Sequence, residues 1–189
     1  RVHGRRELPG IIGARPPHVL PAGERDKPIP SDRLLIDVGL AADEIGQWVR
    51  VGDLVTMNRN LVELKGGLLS GKALDNRASV AASVVCLEAL AKIHHSWDVI
   101  AVATVQEEVG YKGAITSVYG LQPDVGIAID VTFGKQPGAP DEYTHELGQG
   151  PVLAIGPHFH PQLQPAMEDA AKRMETPYDP EPDPRPGVT

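Results

Sequence analysis

Aromatic residues, cysteine and an excess of positive charge are all scarce in this sequence of 189 residues. Aromatic side chains make up 4% of the chain, which argues against a groove that stacks sugar rings. With 18 lysines and arginines against 25 acidic residues, the formal net charge is −7, so we expect no nucleic-acid partner. No run approaches the roughly 20 apolar residues of a membrane helix, and we expect no membrane partner either.

The single cysteine, Cys86, rules out an intrachain disulfide and is expected to be a small buried hydrophobe. The opening residues lack the apolar core of a signal peptide. Together these features predict a reducing, cytoplasmic setting. The chain begins at Arg1 without a methionine, and residues 176–189 form a Pro-rich end that predicts a flexible tail or a connection cut short. We therefore expect a fragment of a longer protein.

What the sequence does contain changes character once along the chain. Residues 1–70 carry short β-like runs between Pro- and Gly-rich turns, which predicts a small β-barrel or sandwich module. Residues 71–175 alternate instead between helix and strand patterns. Apolar residues at helical spacing predict a helix over 76–93, and unbroken apolar runs predict buried strands over 98–106 and 124–131. This pattern is typical of an α/β domain with a parallel sheet covered on both faces.

Acidic residues fall at corresponding places in these predicted α/β units. Asp75 precedes the long helix, whose 18 residues run about 27 Å at 1.5 Å per residue. The following strand returns about 26 Å, which brings Glu107 and Glu108 back to the edge where Asp75 lies. A shorter helix near 113–119 and the next strand deliver Asp130 to the same edge. Open α/β sheets bind ligands at this edge, outside the carboxyl ends of their strands. Taken singly, Asp75 could instead be a helix cap, the glutamate pair part of a solvated loop, and Asp130 a turn residue.

Four neighbouring carboxylates need a cation, because like charges a few ångströms apart disfavour ionisation. Few basic residues lie near them in the chain; the ones within four residues are Lys72, Arg77 and Lys112. A divalent metal ion, or a pair of them, is the simpler neutralising partner. Oxygen ligands alone favour magnesium or manganese, and added histidines favour zinc or cobalt.

Four blocks of the sequence resemble, in the same order, the dinuclear metallo-aminopeptidases of the glutamyl and deblocking aminopeptidase family, whose members are often also labelled cellulase M or endoglucanase. The blocks are "GKALDNRASV", "VQEEVGYKGA", "IAIDVT" and "GQGPVLAIGPHFHPQL". The stretch before them is similar to the family's small β domain. The resemblance implies a partial three-layer α/β catalytic domain with a β-barrel or PDZ-like insert domain.

Carried over to this sequence, the resemblance implies a site for two divalent metal ions, with zinc or cobalt expected. Asp75 would bridge the two ions, Glu108 and Asp130 would bind one each, and Glu107 would be the general base. Peptides would be the substrates, hydrolysed at their N-termini by metal-activated water. Homo-oligomers through the β domain are also implied.

The departures from the family pattern are also informative. The family has five metal ligands, and the two blocks that carry its histidines have no match here, so three of five ligands remain. We expect the chain by itself to bind metal poorly and to be inactive. Asp43 and Glu44 are interpreted as a solvated turn. His158 and His160 could share a strand face and ligate a metal, but we favour a structural loop, and His145 is expected at the surface.

Two other functions stay open. A glycoside hydrolase also uses paired carboxylates, but its two acids flank a bond at separations of about 5–9.5 Å, which suits neighbours in sequence badly. A non-enzymatic assembly or binding protein whose metal site has decayed is the second alternative.

Overall fold

The computed structural model describes residues 1–13, 15–25 and 27–183, and the chain divides into two compact units, Arg1–Lys72 and Ala73–Thr189. In this described part, no helix is both long and apolar enough to cross a membrane. The three predicted domains, 1–70, 71–175 and 176–189, stay predictions, and 184–189 lies outside the described residues.

The first unit is built from short antiparallel strands and one short helix. In chain order they are β1 Val2–His3, β2 Glu7–Leu8, β3 Ile11–Gly13, β4 Leu35–Asp37, α1 Ala42–Ile45, β5 Leu54–Val55, β6 Val62–Leu64 and β7 Leu68–Ser70. Strand β1 lies between β2 and β5, with Val2 opposite both Leu8 and Val55. Val2 and Leu8 are the buried hydrophobic residues of this sheet, so its small core lies on β1 and β2.

The strands of the first unit agree with the predicted β-rich character of this region. Beyond the sheet around β1, β3 pairs with β4 and β6 pairs with β7 as separate ladders. Because the described strands form three sheets that do not join into one, the closed barrel or PDZ-like form stays a prediction. Asp43 and Glu44 are exposed, as expected, within the single turn of α1.

The described residues of the second unit, 73–183, form three longer helices and one parallel strand pair. In chain order these elements are α2 Leu74–Leu90, α3 Lys112–Leu121, β8 Val152–Ile155, α4 Leu163–Arg173 and β9 Asp179–Pro182. Strands β8 and β9 pair in parallel, with Val152 opposite Asp179, and α4 is their crossover helix. The Pro-rich segment can be a strand because its N–H donors alternate with its prolines, and Pro180 and Pro182 have no N–H to offer. The Asp179 amide donates to the carbonyl of Pro151, directly before β8, and the Asp183 amide donates to the carbonyl of Ile155 in β8.

Two predictions for the second unit are wrong. Segments 98–106 and 124–131, predicted as buried parallel strands, form no strand ladder within the described residues. Without a neighbouring strand in this part of the chain, their apolar side chains are exposed; they include Val99, Ile100, Val102, Val105, Ile127, Ile129 and Val131. Within the predicted Pro-rich end, 176–189, the described residues include strand β9.

Candidate active site

Asp75 lies where α2 begins, at a point where the helix is irregular. Ala73 has a left-handed backbone, and Asp75 itself is extended with φ −80° and ψ 106°. The helix cap is supplied by the next residue, because the Ser79 amide donates a hydrogen bond to Asn76 Oδ1 at 3.2 Å. The Asp75 side chain is exposed. Since Asn76 already caps the helix, capping does not account for Asp75.

Glu107 and Glu108 lie in a tight 3₁₀ turn, Glu107–Val109. Left-handed residues bound the turn on both sides, with φ of 59° at Gln106 and 103° at Gly110. Non-glycine residues seldom adopt this conformation, so the surrounding structure must hold Gln106 in place. The backbone reverses sharply here, and the two adjacent carboxylates project from a turn instead of a strand.

Gly113 fixes that turn against the segment before it. Its amide donates to the Val105 carbonyl at 2.9 Å, which closes the loop that carries both glutamates. A Cβ atom at position 113 would lie 2.4 Å from the Val105 backbone nitrogen and oxygen, a distance that real contacts essentially never show. Only glycine allows the start of α3 to approach so closely. The Lys112 ammonium adds a hydrogen bond to the Val109 carbonyl.

Asp130 is held beside the start of α2. The Asn76 side-chain amide donates to the carbonyl of Ile129, the residue before Asp130, at 2.9 Å. The Asp130 carboxylate accepts a hydrogen bond from the Val131 amide at 2.7 Å, which orients it. The structure therefore places Asp130 and Asp75 on segments that are hydrogen-bonded to each other.

Glu107 lies within electrostatic range of the other three acids. The pKa of Glu107 is raised by partial desolvation and then by the negative charges of Glu108, Asp130 and Asp75. Within the described part of the chain, no lysine or arginine forms an ion pair with any of the four carboxylates. The site thus concentrates negative charge that the described residues leave uncompensated.

The acids do not converge further than this. Among residues 1–13, 15–25 and 27–183, no three histidine, cysteine or acidic side chains form a group that could hold a metal ion. The predicted parallel ladder would have drawn the segments together, and its absence from the described strands accounts for the looser arrangement. The donor set itself is suited to divalent cations, because carboxylate oxygens are hard ligands and their mutual repulsion is uncompensated. The roles predicted for the four acids stay predictions.

The three histidines considered from the sequence differ in their surroundings. His158 and His160 lie in the loop after β8, as favoured from the sequence, and His160 Nδ1 accepts from the Gln162 amide at 3.3 Å. His145 was expected at the surface, and that expectation is wrong. Its side chain is only 13% exposed and lies between Asp179 and Glu181. The signal in the sequence was the spacing of these acids, since residues two apart in a strand share one face.

The second unit is thus a mixed α/β unit that carries four acidic residues near the starts of α2 and α3. The family model described as M42 glutamyl aminopeptidase matches residues 1–187. The chain belongs to this family.

Individual relatives agree with this assignment. The chain is 36% identical over 183 residues to lysyl aminopeptidase of Pyrococcus furiosus, covering 95% of this chain and 52% of that protein. The TET aminopeptidase from the marine sediment archaeon Thaumarchaeota archaeon SCGC AB-539-E09 has a TM-score of 0.83 and 29% identity over 98% of this chain and 55% of its own. The TET dodecamer PhTET1-12s has a TM-score of 0.77 and 28% identity, over 94% of this chain and 53% of its own. The chain thus spans about half the length of these relatives.

Proposed function

We propose that this chain forms part of a metal-dependent aminopeptidase that releases N-terminal amino acids from peptides. The observation that carries the proposal is that the charges of Glu108, Asp130 and Asp75 act on Glu107, while none of the four acids has a lysine or arginine ion-pair partner in the described residues. The family match supports the same activity. A divalent cation would remove the repulsion that these acids create.

Each acid has a distinct proposed role. Asp75 would be the ligand shared by two divalent ions, and Glu108 and Asp130 would hold one ion each. When bound, such ions would lower the pKa of a water molecule and polarise the scissile carbonyl. Glu107 takes the proton of the attacking water and passes it to the leaving amine. Adjacent residues in a turn project differently, which allows Glu108 to ligate while Glu107 reaches the water. We propose zinc or cobalt as the ions.

Assembly and location are part of the proposal. A solved relative is a dodecamer, so we propose that this protein forms homo-oligomers, with the β-rich unit Arg1–Lys72 as the contact surface. We also propose a cytoplasmic location and peptide substrates. With three of the five ligands implied by the family resemblance, the chain alone should bind metal weakly.

The test is aminopeptidase activity of the polypeptide encoded by the complete reading frame. We expect release of p-nitroaniline from aminoacyl p-nitroanilides, loss on chelation, and recovery with zinc or cobalt. Glu107→Gln should lower kcat about 10²–10⁴-fold, the range for loss of a general base, while bound metal is retained. Glu108→Gln should lower bound metal as well. Glu88→Gln, an exposed change on α2, is the matched control and should be silent.

The alternative is a relative whose metal site is lost. The observation that favours it is that no three candidate ligands form a metal-holding group in the described residues. If the complete polypeptide binds no metal and has no peptidase activity, this alternative replaces the proposal. Sugar release that persists under chelation would point instead to a glycoside hydrolase.

A further inference from the structure

Asn76 uses both ends of its side-chain amide in the candidate site. Its Oδ1 accepts from the Ser79 amide at 3.2 Å, and its Nδ2 donates to the Ile129 carbonyl at 2.9 Å. The first bond is local and caps α2. The second bond joins residues 53 positions apart in the chain. The two bonds therefore connect the helix start to the segment that carries Asp130.

Helix capping explains only half of this arrangement. Serine, threonine or aspartate caps a helix as well as asparagine does, because the cap needs only an acceptor oxygen. The bond to Ile129 also needs a hydrogen-bond donor on the same side chain. Serine, threonine and aspartate have no donor that reaches as far as the Ile129 carbonyl. Segment 124–131 forms no strand ladder in the described part of the chain, so its position depends on contacts such as this one.

We infer that Asn76 is a positioning residue, which sets the separation of Asp75 and Asp130, two of the carboxylates that would hold the metal ions. This inference rests on the proposed function. Asp75 is the residue directly before Asn76, and Asp130 directly follows Ile129, so one hydrogen bond fixes both backbones. The Val131 amide then orients the Asp130 carboxylate. Asn76 does not need to contact the metal ions or the substrate.

Asn76→Ser tests the inference because it keeps a neutral cap and loses the long-range donor. In the complete polypeptide, we expect Co²⁺ affinity to fall about 10–100-fold, the usual effect of losing a group that orients metal ligands. The visible absorption of bound Co²⁺ should also change, because the ligand geometry is altered. We expect kcat to fall more than KM changes, since substrate contacts are intact. Asn60→Ser, at an exposed position of the first unit, is the matched control.

Two further measurements separate positioning from folding. Asn76→Ala removes the cap as well, so the thermal unfolding temperature should be lowered in this variant and nearly unchanged in Asn76→Ser. In the metal-free protein, hydrogen exchange of the Val131 amide should be several-fold faster in Asn76→Ser than in the parent.

The outcomes are distinguishable. If Asn76→Ser binds Co²⁺ with the parent's affinity and spectrum and exchanges its Val131 amide at the parent's rate, Asn76 is only a helix cap and the inference is overturned, while the proposed function stands. If the parent polypeptide binds no Co²⁺ and has no chelator-sensitive activity, both are overturned.

Discussion

His145 should make the attachment of β9 depend on pH. Its Nδ1 lies 2.8 Å from Asp179 Oδ2, and its Nε2 lies 3.1 Å from Glu181 Oε2; we call these three residues the imidazole clamp. A neutral imidazole has one N–H donor, but both ring nitrogens here face a carboxylate. Only the protonated ring can donate to both. The hydrogen bond to Asp179 accordingly raises the pKa of His145, with Glu181 acting in the same direction against the effect of burial.

The size of the effect follows from the exposure of each partner. A hydrogen bond to a charged group contributes about 1.5–3 kcal/mol when covered, and an exposed ion pair contributes about 0–1 kcal/mol. The Asp179 side chain is 53% exposed, so its bond to His145 should contribute as an exposed ion pair does. The Glu181 side chain is 26% exposed, so its bond should contribute nearly as much as a covered one. We therefore expect the clamp to stabilise β9 by about 2 kcal/mol, which is about a 30-fold change in its local opening.

The sign of the pH dependence is fixed by the direction of the pKa shift. Because the pKa of His145 is raised above the unfolded value of about 6.5, the clamp contributes fully below that pH. The contribution is lost as the pH rises through the raised pKa. Attachment of β9 should therefore be stronger at pH 6 than at pH 9.

Hydrogen exchange and NMR can check this prediction. We expect protection factors of the Asp179 and Asp183 amides, which hold β9 against β8, to fall about 30-fold between pH 6 and pH 9. His145→Gln should have low protection that does not vary with pH, while His158→Gln in the exposed loop should behave as the parent. An NMR titration that places the pKa of His145 at or below 6.5 would refute the reasoning.

Two further predictions concern close backbone contacts. Gly113→Ala should destabilise the second unit by about 1–3 kcal/mol, the usual cost of overpacking, because the new Cβ would lie 2.4 Å from Val105 backbone atoms. Gly120→Ala is the control on the same helix; it has open space around it and should be stabilising by about 0.4–1 kcal/mol. Gly156→Ala should weaken β8–β9 pairing, because its Cβ would lie 2.0 Å from the Asp183 carbonyl oxygen, while Gly126→Ala has free space. Chemical denaturation checks the first pair and hydrogen exchange of β9 checks the second. Equal stabilities of the two α3 variants would contradict the packing argument.

The sequence predicted the helices of the second unit well because helix signals are local. The predicted helix over 76–93 corresponds to Leu74–Leu90, and the one near 113–119 corresponds to Lys112–Leu121. Hydrogen bonds within a helix join residues four apart, so a short window of sequence contains the whole interaction. The end of the first helix was placed too late, because the residues after Leu90 form a turn instead of a further helical turn.

Strands could not be predicted in the same way, because their stability depends on partners far along the chain. Segments 98–106 and 124–131 have the composition of buried strands, but composition does not supply a neighbouring ladder. Strand β9 was not predicted either, because its Pro-rich segment was interpreted as a flexible tail or a connection cut short. Its alternation of prolines with N–H donors becomes meaningful only when the partner β8 is known.

The candidate site shows the same division between local and distant information. Asp75, Glu107, Glu108 and Asp130 were selected from spacing and from the family resemblance, and the structure brings the charges of the other three into range of Glu107. Asn76 was not selected, because its role depends on a bond to Ile129.

The acids are held in range by contacts other than a sheet. A closed parallel sheet would place strand ends by repeated backbone hydrogen bonds. Among the described residues, single hydrogen bonds replace that ladder, from Gly113 to Val105 for the glutamate turn and from Asn76 to Ile129 for Asp130. Each such bond contributes only about 0.5–1.5 kcal/mol, so the site should be more mobile than a helix core. The exposed apolar side chains of segments 98–106 and 124–131 lie on the backbone that carries Glu107, Glu108 and Asp130. If these side chains became covered, that backbone would be restricted. Metal affinity and burial of these segments should therefore increase together.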